Sequence, residues 1–187
     1  VDQVEPDRAA IEAEFGVKAI YCPANMMKPE GAQELIQAGV EAFGQVDVLV
    51  NNAGIQFVSP VAEFPDAKWQ AILTLNLSAA FYATKHVAAG MKERGWGRII
   101  NIASAHGLVA SPYKSAYVAA KHGILGFTKS IALELAEHGI TVNAICPGYV
   151  WTPLVESQIP DTMKARGMSE EEVKKDVLLK AQPTKKF

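Results

Sequence analysis

Tyr117 and Lys121 stand four apart in the segment YVAAK, and Lys114 stands three residues before the tyrosine. On a helix that spacing puts all three side chains on one stripe. A phenol beside an ammonium has a specific chemical use. Lowering a tyrosine from its reference value near 10 to about 7 takes roughly 4 kcal/mol, and one unit charge about 4 Å away at an effective dielectric near 20 supplies about that much. Lys121 is therefore expected to make Tyr117 a usable proton acceptor at neutral pH. Ser104, which closes an apolar run upstream, is expected to face the pair across a short loop. Taken alone, YxxxK has a plainer use as a core tyrosine followed by a solvated lysine.

Such residues need a frame. Apolar runs of strand length, at 17–22, 46–54, 97–104 and 140–148, alternate with helical patterns at about 29–43, 66–92 and 112–138. The runs are apolar on both faces, as in parallel strands covered by helices. This predicts an α/β fold, a doubly wound parallel sheet with helices on both faces. In such sheets ligands bind outside the carboxyl ends of the strands. There the chain places Asn51-Asn52-Ala53-Gly54, Ser104-Ala105-His106 and Pro147-Gly148. Ser111 is expected to cap the 112–138 helix, with Pro112 at its first position and Gly139 as its left-handed stop. Its small residues Ala116, Ala119, Ala120, Gly123 and Gly126 suit close helix packing, plausible between subunits. Short charged helices at about 153–166 and 169–181 predict a mobile cap, about 150–181, within a single partial domain 1–187.

Composition narrows the classes. With 187 residues, 49% of them hydrophobic, the chain can bury a sizeable core. Eighteen basic against twenty acidic residues leave a net charge of -2, which argues against nucleic acid or an anionic membrane as partner. No apolar run reaches membrane-spanning length. Cys22 and Cys146 show no metal or disulfide spacing, and no signal segment precedes the first helical pattern, so a cytoplasmic setting with reduced thiols is expected. His86, His122 and His138 make no metal motif, and no GxSxG elbow surrounds Ser104.

Together NNAG, Ser104, YVAAK and VNAICPG resemble the short-chain dehydrogenase/reductase family, over nearly all of the sequence. The resemblance implies a Rossmann-like fold and hydride transfer with NAD as cofactor. It makes Tyr117 the general acid/base, Lys121 its activator and a donor to the nicotinamide ribose, Ser104 the holder of the reacting oxygen, and Asn76 part of a water relay in an irregular helix. It places Asn52, Ala53 and Gly54 near the adenosine ribose, and Pro147, Gly148, Val150 and Thr152 near the carboxamide. Asn25 takes the place of the family's usual aspartate against the adenine. Gln56, His106, Lys114 and Gln158 fall at the same end of the sheet. A cation among several donors there suggests an anionic group on the substrate, held while a neighbouring hydroxyl is oxidised. The resemblance is strongest to members that interconvert (R)-3-hydroxybutanoate and acetoacetate, which makes a small anionic hydroxy or keto acid the expected partner and a tetramer the expected homo-oligomer.

The family's first strand-turn-helix carries a glycine-rich phosphate fingerprint, and this chain has none. By the resemblance, the first two strands and the last strand are absent. The 187 residues alone are expected to bind NAD poorly and turn over little. Two other readings stand beside this one: a dehydrogenase for another hydroxy or keto substrate, and a noncatalytic truncated form serving as an interaction subunit.

Overall fold

A computed structural model describes residues 4–187. Three parallel strands, β1 (Val48–Asn51), β2 (Gly97–Ile102) and β3 (Ile140–Ile145), form one sheet in that order. Helices α1 (Val4–Phe15) and α2 (Pro29–Phe43) precede it. Helices α3 (Asp66–Leu73) and α4 (Ala79–Arg94) connect β1 to β2, and α5 (Ser115–Leu135) connects β2 to β3. The short helices α6 (Pro153–Glu156), α7 (Ile159–Arg166) and α8 (Glu170–Glu172) follow.

Register decides which side chains share a face. Leu49, Ile99 and Val142 stand side by side and are buried, packing with Ala83, Val87 and Met91 of α4, Leu135 of α5, and Ala32 and Ile36 of α2. Because Cβ atoms alternate along a strand, the neighbours Val48 and Val50 point the other way, and both are about half exposed, as is Ile145. The Rossmann-like parallel sheet is present, and the face that carries Val48, Val50 and Ile145 is its less covered one. The expected strand at 17–22 is irregular. A strand exists only where a neighbour completes its hydrogen bonds, and Val17, Ile20 and Tyr21 are instead exposed.

The remaining corrections are local. The 66–92 helix is interrupted by a π-turn at Thr74–Ser78. The long helix starts at Ser115, not Pro112, because Tyr113 adopts φ 69°, which no right-handed helix accommodates, so Lys114 becomes the N-cap. A hydrogen bond from the Ser59 N–H to the Tyr113 carbonyl (2.9 Å) holds that turn. Gly139 does close the helical segment, at φ 70°. Ala116, Ala120 and Gly123 pack within the chain: a Cβ at Gly123 would lie 2.9 Å from Leu77, while Ala119 and Gly126 face outward. The short helices gather Val155, Ile159, Val173 and Leu178 into a small core of their own, joined by Tyr149. Among the described residues no helix is long and apolar enough to cross a membrane.

Candidate active site

Beyond the ends of β2 and β3 the two chain segments continue side by side. The Ala103 N–H donates to the Ile145 carbonyl (2.8 Å), and the Ala105 N–H to that of Pro147 (2.9 Å). This delivers Ser104 beside Gly148. Ser104 caps a single 3-10 turn, Ala105–Gly107, its Oγ accepting from the His106 N–H at 3.1 Å. The turn then sits directly on α5, where a Cβ at Gly107 would come within 2.6 Å of the Lys121 carbonyl oxygen. Only glycine permits that approach. Substituting Gly107→Ala is therefore expected to push Ser104 and His106 off the helix carrying Tyr117, lowering kcat and destabilising the fold by about 1–3 kcal/mol. Urea denaturation and steady-state kinetics on one preparation would check both effects.

The Tyr117 phenol and the Ser104 hydroxyl line the same two clefts. Burial pushes the phenol above its ordinary value, and the nearby Ser104 hydroxyl works against that. The Lys121 ammonium lies 5.6 Å from the Tyr117 ring centroid and donates to the Ile102 carbonyl at 2.6 Å. Burial lowers it to about 8, with Cys146 acting in the opposite sense. The expected drop of the phenol to about 7 is thus corrected: burial dominates its environment, and Tyr117 is held as a neutral acid.

Asn76 lies in the π-turn and is buried. Its Oδ1 accepts from the Ile55 N–H and its Nδ2 donates to the Ile55 carbonyl, both at 2.9 Å. The side chain therefore clamps the segment that follows NNAG, and Gly54 lies against it. Below, Asn51, Asn101 and Thr128 make a buried hydrogen-bonded row tying β1 through β2 to α5.

Lys114 is 4% exposed although it carries an ammonium. It donates to Gln158 Oε1 at 2.9 Å and to the Tyr149 hydroxyl at 3.0 Å, both neutral oxygens. Burial, then the nearby Arg166 guanidinium, lower it to about 8. His106 packs edge-on to Tyr117 and Tyr149, with ring centroids 6.2 and 5.7 Å apart. Burial, and after it Lys114, lower the imidazole to about 4, so it is neutral at pH 7. Ser104, His106, Lys114, Tyr117, Tyr149 and Gln158 line one pocket of about 80 Å³. Both polar atoms of the Gln56 side chain are buried without a partner.

A second cleft, about 220 Å³, adjoins the first and is lined by Asn52, Gly54, Ser104, Tyr117, Lys121, Pro147, Gly148, Val150 and Thr152. The structure thus brings together most of the residues expected near a cofactor. Ala53 lines a neighbouring hollow with Asn51 and Asn76. Asn25 borders neither cleft; its Oδ1 accepts from the Met27 N–H at 2.9 Å in the turn leading into α2. Thr152 also caps α6, accepting from the Val155 N–H. A larger hollow of about 720 Å³ between residues 170 and 185 contains none of these groups. Tyr149 escaped the sequence reading although it stands between Gly148 and Val150. Only its position in the loop, not any spacing, marks it.

An open parallel sheet with a serine, a tyrosine and a lysine converging at its carboxyl edge defines a class, and residues 2–162 match the family described as short chain dehydrogenase. The chain belongs to that family. It is 58% identical over 168 residues to a protein of Rhizobium meliloti named D-beta-hydroxybutyrate dehydrogenase, covering 90% of this chain and 65% of the relative. It is 48% identical over 176 residues to a protein of the same name from Cupriavidus necator, covering 94% and 68%. The chain thus spans about two thirds of the length of these curated relatives. Among solved structures, NAD+-bound xylitol dehydrogenase superposes with a TM-score of 0.92 at 30% identity, over 100% of this chain and 73% of that one.

Proposed function

We propose that this chain is the catalytic part of an NAD-dependent dehydrogenase that interconverts (R)-3-hydroxybutanoate and acetoacetate. The observation that carries the reading is Lys114: a buried ammonium whose hydrogen bonds go only to neutral oxygens, in the same pocket as the Ser104–Tyr117 pair. A buried cation of this kind gains most from an anionic ligand. The Gln56 amide, although unpartnered, borders neither this pocket nor the adjoining cleft. The two relatives' names point to the same substrate.

The cleft beside this pocket suits the nicotinamide end of NAD. Lys121 spends one N–H on Ile102, and an ammonium has three donors, so it can also reach a ribose hydroxyl. Asn52, Gly54, Pro147, Gly148, Val150 and Thr152 would hold the rest. NAD supplies the two-electron acceptor that no side chain provides. Lys114 and Gln158, with His106, hold the carboxylate and so fix the C3 hydroxyl near Ser104 and Tyr117. Ser104 donates to the oxygen as it becomes a carbonyl. As its phenolate Tyr117 would take the hydroxyl proton in oxidation, and as the neutral phenol it would give one in reduction. Because burial raises its phenol, Tyr117 is protonated at pH 7 and is a ready proton donor in the reducing direction.

Lys114 also sets a pH dependence. The anion needs the protonated lysine, which in the free protein loses its proton at about 8. The affinity for an unreactive carboxylate is expected to be flat below that pH and to weaken above it, up to about tenfold per unit. His106, already neutral, leaves no mark near pH 6. Competitive inhibition measured across pH would show this, and a flat profile through pH 9 would remove Lys114 from the anion site. The function itself is tested by following nicotinamide reduction with the full-length enzyme, comparing (R)-3-hydroxybutanoate, its S enantiomer and a neutral secondary alcohol. Equal rates with the neutral alcohol would point instead to another member of the family's substrate range.

A further inference from the structure

The loop 147–152 serves both clefts. Pro147, Gly148, Val150 and Thr152 line one side, and Tyr149 reaches the other. The loop lies beyond the last sheet residue, so its peptide groups must find partners elsewhere. The Tyr149 N–H finds Gln182, donating to its Oε1 at 2.6 Å across 33 positions of sequence. The Gln182 amide is itself oriented, because Nε2 donates to the Lys186 carbonyl at 2.7 Å. A Cβ at Gly148 would lie 3.0 Å from the same Oε1, so the loop offers the glutamine a seat with no room to spare. The fastening continues two residues further, where Trp151 packs on Phe187 with ring centroids 4.9 Å apart.

We propose that Gln182 is a positioning residue of the substrate site. By holding the peptide of Tyr149 it keeps the phenolic oxygen on the Lys114 ammonium and the ring against His106, which together shape the anion pocket. A tilt at the peptide is magnified at the hydroxyl, the far end of a long rigid side chain. Gln182 touches neither clefts' reacting atoms nor Lys114; it acts through Tyr149. This inference rests on the carboxylate-binding reading above.

Two variants separate the bond from mere bulk. Gln182→Met keeps the length of the side chain and removes the acceptor, whereas Gln182→Glu keeps an oxygen for the Tyr149 N–H. In the full-length enzyme, Gln182→Met is expected to raise KM for (R)-3-hydroxybutanoate about tenfold, with kcat at saturation changed less than about twofold. Hydrogen exchange at the Tyr149 amide should quicken at least about tenfold in the same variant. Gln182→Glu should stay within about threefold of the wild type in both measures. Unchanged exchange or unchanged KM in Gln182→Met would overturn the proposal, as would equal impairment of the two variants, which would assign Gln182 to folding of its own segment. A wild-type enzyme without affinity for the hydroxy acid would instead sink the carboxylate reading, and the exchange comparison would still decide whether Gln182 holds the loop.

Discussion

Replacing Tyr117 by Phe is expected to lower kcat by about 10²–10⁴-fold, the range lost when a positioned general acid is removed, while leaving KM for the hydroxy acid and the thermal midpoint nearly unchanged. The ring keeps its packing against Ile72, Ala116 and Ala120, and only the hydroxyl disappears. Stopped-flow reduction of acetoacetate would isolate the effect on the chemical step. A variant retaining a tenth of the wild-type rate would show that another group, or water, carries the proton.

Lys114→Met is the second large effect, and it falls on a different parameter. Deleting one member of a buried, hydrogen-bonded charge pair costs about 2–5 kcal/mol, so kcat/KM for 3-hydroxybutanoate should drop roughly a hundredfold or more. A neutral secondary alcohol should lose less than about threefold. The variant should also be no less stable than the wild type, and somewhat more so below pH 8. There the lysine is charged in both folded and unfolded chains, and the folded one bears the burial cost that lowers it to about 8. Above that pH the folded lysine sheds its proton first, the cost is relieved, and the difference between variant and wild type narrows. A common loss for charged and neutral substrates would assign Lys114 to the architecture of the α5 start.

The chemistry was legible because it lies in short stretches with fixed geometry. Four residues on a helix bring Tyr117 and Lys121 to one side, and a strand end brings Ser104 to them. Helix α2 was readable to the residue from Pro29 at its start and Gly44 after its end. What escaped depends on groups distant in sequence. The strand expected at 17–22 has no hydrogen-bonding neighbour. Tyr113 takes a left-handed backbone through its contact with Ser59, which no local preference announces. The titration of Tyr117 was misjudged because charge proximity can be read from spacing, whereas the loss of water around both groups follows only from the packed site. Tyr149 and Gln182 are joined across the small core of the terminal helices, and each alone looks like an ordinary loop residue.

The bare side of the sheet has a consequence for handling the molecule. Val48 and Val50 leave an oily strip on β1, which among the described residues has a ladder partner only on its β2 side. Strips of this kind adjoining an unsatisfied edge invite other chains to add themselves. An apolar surface laid across Val48 and Val50 would remove that tendency.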